Sequence, residues 1–165
     1  MYSSKLISKT AVSSVAHLIT PTMAVVHPDS SLEDTAEVIY RTVVACPQVY
    51  VITPDRVLKG SLSIGAAAYN IFRFVLDDRT ADELLPAASF ALKGKRAGDL
   101  MEPVPAVIRL DDTLETLINL FREHHLLEVA VVDSKGRLSG VLNCRAVLKY
   151  SFEHKAALQA SRSDV

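Results

Sequence analysis

The sequence predicts a mixed α/β (α+β) fold in which one β-α-β-β-α unit is used twice. Three observations carry this. Leu18, Pro21, Ala24, Val25, Asp29, Leu32 and Glu33 recur as Leu100, Pro103, Ala106, Val107, Asp111, Leu114 and Glu115, at a constant spacing of 82 residues (100 − 18). Further on, Gly60 and Leu62 recur as Gly140 and Leu142 at a spacing of 80 (140 − 60), a two-residue change placed where a helix meets a strand and insertions are tolerated. Each copy also holds a helical apolar period followed by two short apolar runs separated by turn residues. With 165 residues, 49% hydrophobic and 22% charged, the chain can bury the core of one domain or of two small ones.

The elements follow in order. Residues 1–13 form an N-terminal segment and 14–76 the first repeat. In that repeat Val25-Val26 is a short strand. A helix runs from Ser31 to about Val44, with Ser30 and Glu33 as its capping box and Leu32, Ala36, Ile39 and Val43 on its inner face. Val49 to Ile52 is a β-branched strand, Thr53-Pro54-Asp55-Arg56 a turn, and Val57 to Leu62 a second strand. Gly65 to Leu76 is a helix apolar enough to need a broad packing surface. The linker, 77–98, holds a helical turn from Thr80 to Leu85 stopped by Pro86. It ends in a basic loop of Lys93, Lys95 and Arg96, which is either an anion contact or a solvated connection.

The second repeat, 99–150, has the clearest local signals. Ala106-Val107-Ile108 supplies a strand. Asp112 and Glu115 read as a capping box, and Leu114, Leu117, Ile118 and Phe121 as one helix face. Val129 to Val132 and Leu138 to Leu142 form a hairpin around Asp133-Ser134-Lys135-Gly136, with Gly136 free to take positive φ. A last helix starts at Arg145, runs to about Tyr150, and extends into the tail 151–165.

Composition also excludes function classes. A net charge of −1 gives no electrostatic case for a nucleic acid polymer. No apolar run approaches the roughly 18–20 residues of a membrane span, and residues 1–20 lack the apolar core of a signal peptide. Cys46 and Cys144 stand far apart and read as two buried thiols, so the expected location is cytoplasmic. His124-His125 ends a helix and reads as helix-end stabilisation rather than a metal site. No P-loop, GxSxG or HExxH pattern is present, and the expectation is a protein without catalysis.

The duplicated pattern, with LLEVAVVDSKGRLSGVLNCRAVLKY in the second copy and VYVITPDRVLKGSLS in the first, resembles tandem CBS domains, the pair called a Bateman module. The resemblance covers about Ser14 to Tyr150. It implies two sheets packed with pseudo-twofold symmetry, leaving two clefts between them. Members commonly form homodimers through their helices. Many bind AMP, ATP or related adenosyl ligands in the clefts and regulate an attached or separate protein without catalysing anything themselves.

The resemblance also implies where a ligand would sit. In the family a Ser or Thr and, three residues on, an Asp follow a Gly; the carboxylate accepts the ribose hydroxyls. Here Ser63 keeps the hydroxyl and Ala66 stands for the Asp, while Asn143 and Ala146 take the two places in the second repeat. The Thr from the start of a repeat is Thr20, with Glu102 as its counterpart; the basic residue before the central strand is replaced by Gln48 and Glu128. Val25 and Val107 are also expected among the ligand-binding residues, and Arg145 offers a phosphate contact by another route. One cleft therefore draws on Glu102, Ser63 and Gln48, the other on Thr20, Glu128 and Asn143. Two functions follow: a stand-alone regulatory module sensing a ligand or a partner through dimer rearrangement, or an accessory scaffold whose clefts have degenerated.

Overall fold

The structure, a computed structural model, describes residues 10–21, 23–42, 48–65 and 94–152. It is mixed α+β, with two three-stranded sheets. The first contains β1 (Val25–Val26), β2 (Gln48–Ile52) and β3 (Leu58–Ser63) in the order β1-β2-β3. Strand β1 runs parallel to β2, with Val25 beside Tyr50, and β2 runs antiparallel to β3, with Gln48 opposite Ser63. Helix α1 (Leu32–Arg41) connects β1 to β2, and the short helix α2 (Ala97–Leu100) precedes the second repeat. The second sheet contains β4 (Val107–Ile108), β5 (Glu128–Val132) and β6 (Leu138–Asn143), with α3 (Leu114–Glu123) between β4 and β5. Its pairing of Val107 with Ala130 matches that of Val25 with Tyr50 at the spacings read from the sequence. Helix α4 covers 144–152. Residues 64–65 are helical, but the rest of the expected helix to Leu76, the Thr80–Leu85 turn and Lys93 lie outside the described residues.

The chain forms two compact units, and neither is a contiguous repeat. Unit 1 gathers the described residues of 1–21, Pro105–Ser134 and those of 139–165; unit 2 gathers those of 22–104 and Lys135–Leu138. A 3₁₀ helix, Val12–Leu18, which the sequence did not announce, explains the first grouping. Val12 N–H donates to Asp112 O (2.7 Å) and Ser13 N–H to Leu110 O (2.9 Å), so this segment is fixed to the turn before α3. In unit 2 α2 repeats the device: Ala97 N–H donates to Ser30 O (2.9 Å) and Gly98 N–H to Pro28 O (2.8 Å). Val12 and Ala97 are both fully buried. The core of unit 1 joins Val12 and Val15 to Ile108, Leu117, Val129, Val131, Leu142 and Val147; that of unit 2 joins Ala24, Val26, Val49, Val51, Leu62 and Ala97.

Both helix caps lie one residue later than the sequence reading placed them. Ser31, not Ser30, caps α1: its hydroxyl accepts from Asp34 N–H (3.0 Å), and Asp34 accepts from Ser31 N–H (3.3 Å), a complete capping box. Thr113, not Asp112, caps α3, accepting from Thr116 N–H (3.1 Å). The earlier residues close a turn instead. Ser30 Oγ accepts from His27 N–H (3.1 Å) and Asp112 Oδ2 from Arg109 N–H (2.8 Å). Adjacent oxygen-bearing residues compete for the cap, and the side chain already satisfied by the turn leaves it to its successor. On the inner helix faces Leu32 and Leu117 are buried and Ile39, Leu114 and Phe121 half-buried against the cores, as expected. Thr35 is buried too, whereas Ala36 and Ile118, expected inside, are exposed at the rim, Ile118 at 40%. Val43 lies outside the described residues.

Candidate functional site

Alternation along the strands sorts each sheet into two faces. Val26, Val49, Val51 and Leu62 occupy the core face of the first sheet, which leaves Val25, Gln48 and Ser63 together on the opposite face. In the second sheet Ile108, Val129, Val131 and Leu142 are core, which leaves Val107, Glu128 and Asn143 opposite. Gln48 and Ser63 are direct cross-strand neighbours. Val107 is 46% exposed and Glu128 only 5%.

The two remaining main-chain positions arrive at the sheet edges by the same geometry. Glu102 pairs with Ser61 on β3 through two hydrogen bonds, Ser61 N–H to Glu102 O and Glu102 N–H to Ser61 O, both 2.9 Å. Thr20 pairs with Val141 on β6, Thr20 N–H to Val141 O at 2.9 Å and Val141 N–H to Thr20 O at 3.1 Å. Glu102 therefore lies two residues along β3 from Ser63, and Thr20 two residues along β6 from Asn143. Neither approach leaves room for a side chain at the neighbouring glycine. A Cβ on Gly60 would sit 2.7 Å from Glu102 O, and one on Gly140 would sit 2.8 Å from Thr20 O and collide with the Ile19 side chain. The sequence marked these glycines as repeat landmarks and as the start of the ligand pattern; their recurrence in the LxGxL frame of both strands was the available signal for the close approach.

The polar groups on the two faces differ. Gln48 Oε1 is buried and has no hydrogen-bond partner. A buried amide oxygen needs a donor, and the described residues bring none to it. Asn143 is committed: its Oδ1 accepts from Arg145 N–H (2.9 Å) and so caps α4, a role that Asn's preference for such positions made readable. Arg145 is exposed and Ala146 half-buried. Ala66 lies outside the described residues. Arg96, from the basic loop, is structural: its guanidinium donates to Asp29 O (2.6 Å) and its N–H to Asp99 Oδ2 (2.9 Å). Among the described residues no group of three His, Cys, Asp or Glu could hold a metal ion, and no helix is long and apolar enough to cross a membrane.

Known proteins share this architecture. The family profile described as CBS domain matches residues 97–153. The structure of the Arabidopsis thaliana CBS-pair protein CBSX2 is 30% identical with a TM-score of 0.66, over 89% of this chain and 97% of that one. CBSX2 in complex with AMP matches at 25% identity and a TM-score of 0.62, over 88% and 99% of the two chains. The cytosolic domain of the Mg2+ channel MgtE in complex with ATP matches at 24% identity and a TM-score of 0.60, over 81% of this chain and 46% of that one, and so speaks to the fold alone. No curated protein sequence is significantly similar. A duplicated β-α-β-β-α unit, a profile on its second copy and a 30% identical relative matched over nearly its whole length agree: this chain belongs to the CBS-domain proteins, as a CBS pair.

Proposed function

We infer that the chain is a regulatory CBS pair that binds a small adenosyl-type ligand on the sheet faces bearing Gln48 and Glu128. It passes the bound state to a partner protein through rearrangement of a homodimer. The observation that carries this reading is the buried, unpartnered Oε1 of Gln48 opposite Ser63. A polar atom left so costs about 1–3 kcal/mol, which a ligand donor such as a ribose hydroxyl or the adenine amino group would recover. The AMP complex of CBSX2 supports the ligand class. Glu102 and Glu128, in place of a hydroxyl and a base, disfavour a polyphosphate and favour an adenosyl compound with little negative charge. Leu148 (57% exposed) and Phe152 (68%), one turn apart on α4, support a dimer face.

Thermal unfolding against AMP, ATP, adenosine and adenosyl compounds tests the reading. At a ligand concentration of about a hundred times Kd, a true ligand adds about 2.7 kcal/mol. Gln48→Leu should remove that gain while leaving the unliganded protein at least as stable. Ala66→Asp with Ala146→Asp should strengthen AMP binding. A panel without any shift would favour the second reading, a dimeric scaffold. The capping role of Asn143 already supports that reading, since it removes one polar group from the second face. A monomer at micromolar concentration would contradict both.

A further inference from the structure

The two hairpin turns share a backbone conformation but not their side-chain bonds. Arg56 in the first and Gly136 in the second both have positive φ, 65° and 73°. They stand 80 residues apart (136 − 56), the spacing that also relates Leu58 to Leu138. Within unit 2 the turns pair through two matching main-chain bonds: Leu58 N–H donates to Gly136 O (3.0 Å) and Leu138 N–H to Arg56 O (2.9 Å). Only the first turn adds to this. The Arg56 guanidinium donates to Leu138 O through Nε (3.1 Å) and Nη2 (2.9 Å), whereas Gly136 has no side chain to return the bond to Leu58.

One residue therefore holds both main-chain groups of Leu138, which is buried at 1% exposure. A left-handed backbone is costly for a residue with a side chain and free for glycine. Arg56 accepts that cost at the place where its guanidinium makes two charge-assisted bonds to one carbonyl. Leu138 is also the first residue of β6. That strand begins in unit 2 and continues from Ser139 in unit 1, where Val141 pairs with Thr20 and Asn143 caps α4. On the other side of the Arg56 turn, β2 and β3 carry Gln48 and Ser63. Hydrogen-bond chains and rigid elements are what carry coupling from one site to another. Here a grip of two bonds fastens the start of one such element to the turn between two others.

We propose that Arg56 is a positioning residue that ties β6 to the first hairpin, so that the state of β2 and β3 sets how firmly Thr20 and Asn143 are held. This gives the regulatory reading a route from the face of Gln48 to that of Asn143, and rests on that reading for its input alone. Amide hydrogen exchange of the full chain without ligand tests it. Arg56→Gly keeps the turn and removes the guanidinium. Arg56→Asn removes it too, with a shorter side chain that tolerates a left-handed backbone. Both should speed exchange about tenfold at Leu138 and about threefold or more at Val141 and Thr20. Tyr50 N–H, which donates to Ala24 O, should stay within about twofold of the parent. Unchanged rates, or faster exchange confined to Leu138, would overturn the proposal by making the grip local. A change in Arg56→Gly that Arg56→Asn does not share would trace the effect to glycine's freedom, and an equal rise at Tyr50 to lost global stability; either also overturns it. None of these readouts uses a ligand. A failed adenosyl panel therefore sinks the ligand reading and leaves the Arg56 grip standing, and unchanged exchange does the reverse.

Discussion

Units 1 and 2 fold by one plan but finish it with different chemistry. Both receive a lead-in segment that bonds to the turn before a helix, and both lay a further residue of that segment, Thr20 or Glu102, along a sheet edge past a glycine. Where backbone meets backbone, the copies make corresponding bonds, though the lead-in is a seven-residue 3₁₀ helix in unit 1 and a four-residue helix in unit 2. At the side chains they part: Thr35 against Leu117 inside the helix, Arg56 against Gly136 in the turn, Gln48 against Glu128 on the open face. The difference teaches that the hydrogen-bonded frame recurs in both copies, while the side chains inside the helix, in the turn and on the open face are free to differ.

Several substitutions can break or sharpen this comparison. The largest effect is expected at the helix interiors. Leu117→Ala empties a fully buried site of unit 1 and should cost about 2–5 kcal/mol in urea unfolding, whereas Thr35→Ala, losing a small side chain and its 2.8 Å bond to Ser31 O, should cost about 1–2 kcal/mol. Equal costs would show that the two helices bury alike.

Next come the edge glycines. Gly140→Ala should destabilise by about 2–3 kcal/mol, since the new methyl meets a β-branched side chain and a carbonyl at once. Gly60→Ala meets the carbonyl of Glu102 and the flexible Met101, and should cost less, about 1–2 kcal/mol. The reverse order would mean that the Thr20 segment yields more easily than the Glu102 segment.

Caps rank third. Ser31→Ala and Thr113→Ala should each lower stability by about 1 kcal/mol, with Ser31 the costlier because its box is reciprocal with Asp34. Should Ser30→Ala and Asp112→Ala prove costlier than their neighbours, the turn rather than the cap would set the helix start.

Smallest is the turn pair. Arg56 has φ 65° and its guanidinium donates to Leu138 O at 2.9 and 3.1 Å; Gly136 has φ 73° and no side chain. Arg56→Gly trades relief of a left-handed backbone for those bonds and should stay within about 0.5–1 kcal/mol of zero, while Gly136→Ala should cost about 1 kcal/mol.

Much of the frame was legible in the sequence because it rests on periodicity and recurrence. The strands at Val25, Val49, Val129 and Leu138, both hairpin turns and the helices α1 and α3 stand where alternation and the 82- and 80-residue spacings put them. What escaped has physical reasons. Ser30 and Ser31, like Asp112 and Thr113, are adjacent oxygen-bearing residues of similar capping power, and only the turn bonds decide between them. The segment TAVSSVAHL around Val12 has no strong helical or strand period, so its burial could only come from tertiary contacts. Among the candidate site residues, Gln48 beside Ser63 and Glu102 near Ser63 were accessible from the family pattern, as was Thr20 near Asn143. The orphaned Gln48 oxygen depends on the absence of an individual hydrogen bond, which no residue pattern encodes, whereas the cap made by Asn143 follows a known positional preference.

The makeup of unit 1 also governs when the protein can fold during its synthesis. Val12 and Val15 pack with Leu142 and Val147, so the first buried residues of that core wait for partners made some 130 residues later. At roughly 5–20 residues per second this delay is about 7–25 s. Unit 2 draws most of its core from residues 24–62 and its last member from Ala97, and its apolar contacts can close earlier. The sheet made later must therefore recover a segment made well before it, and until then Val12 and Val15 lack the partners that bury them.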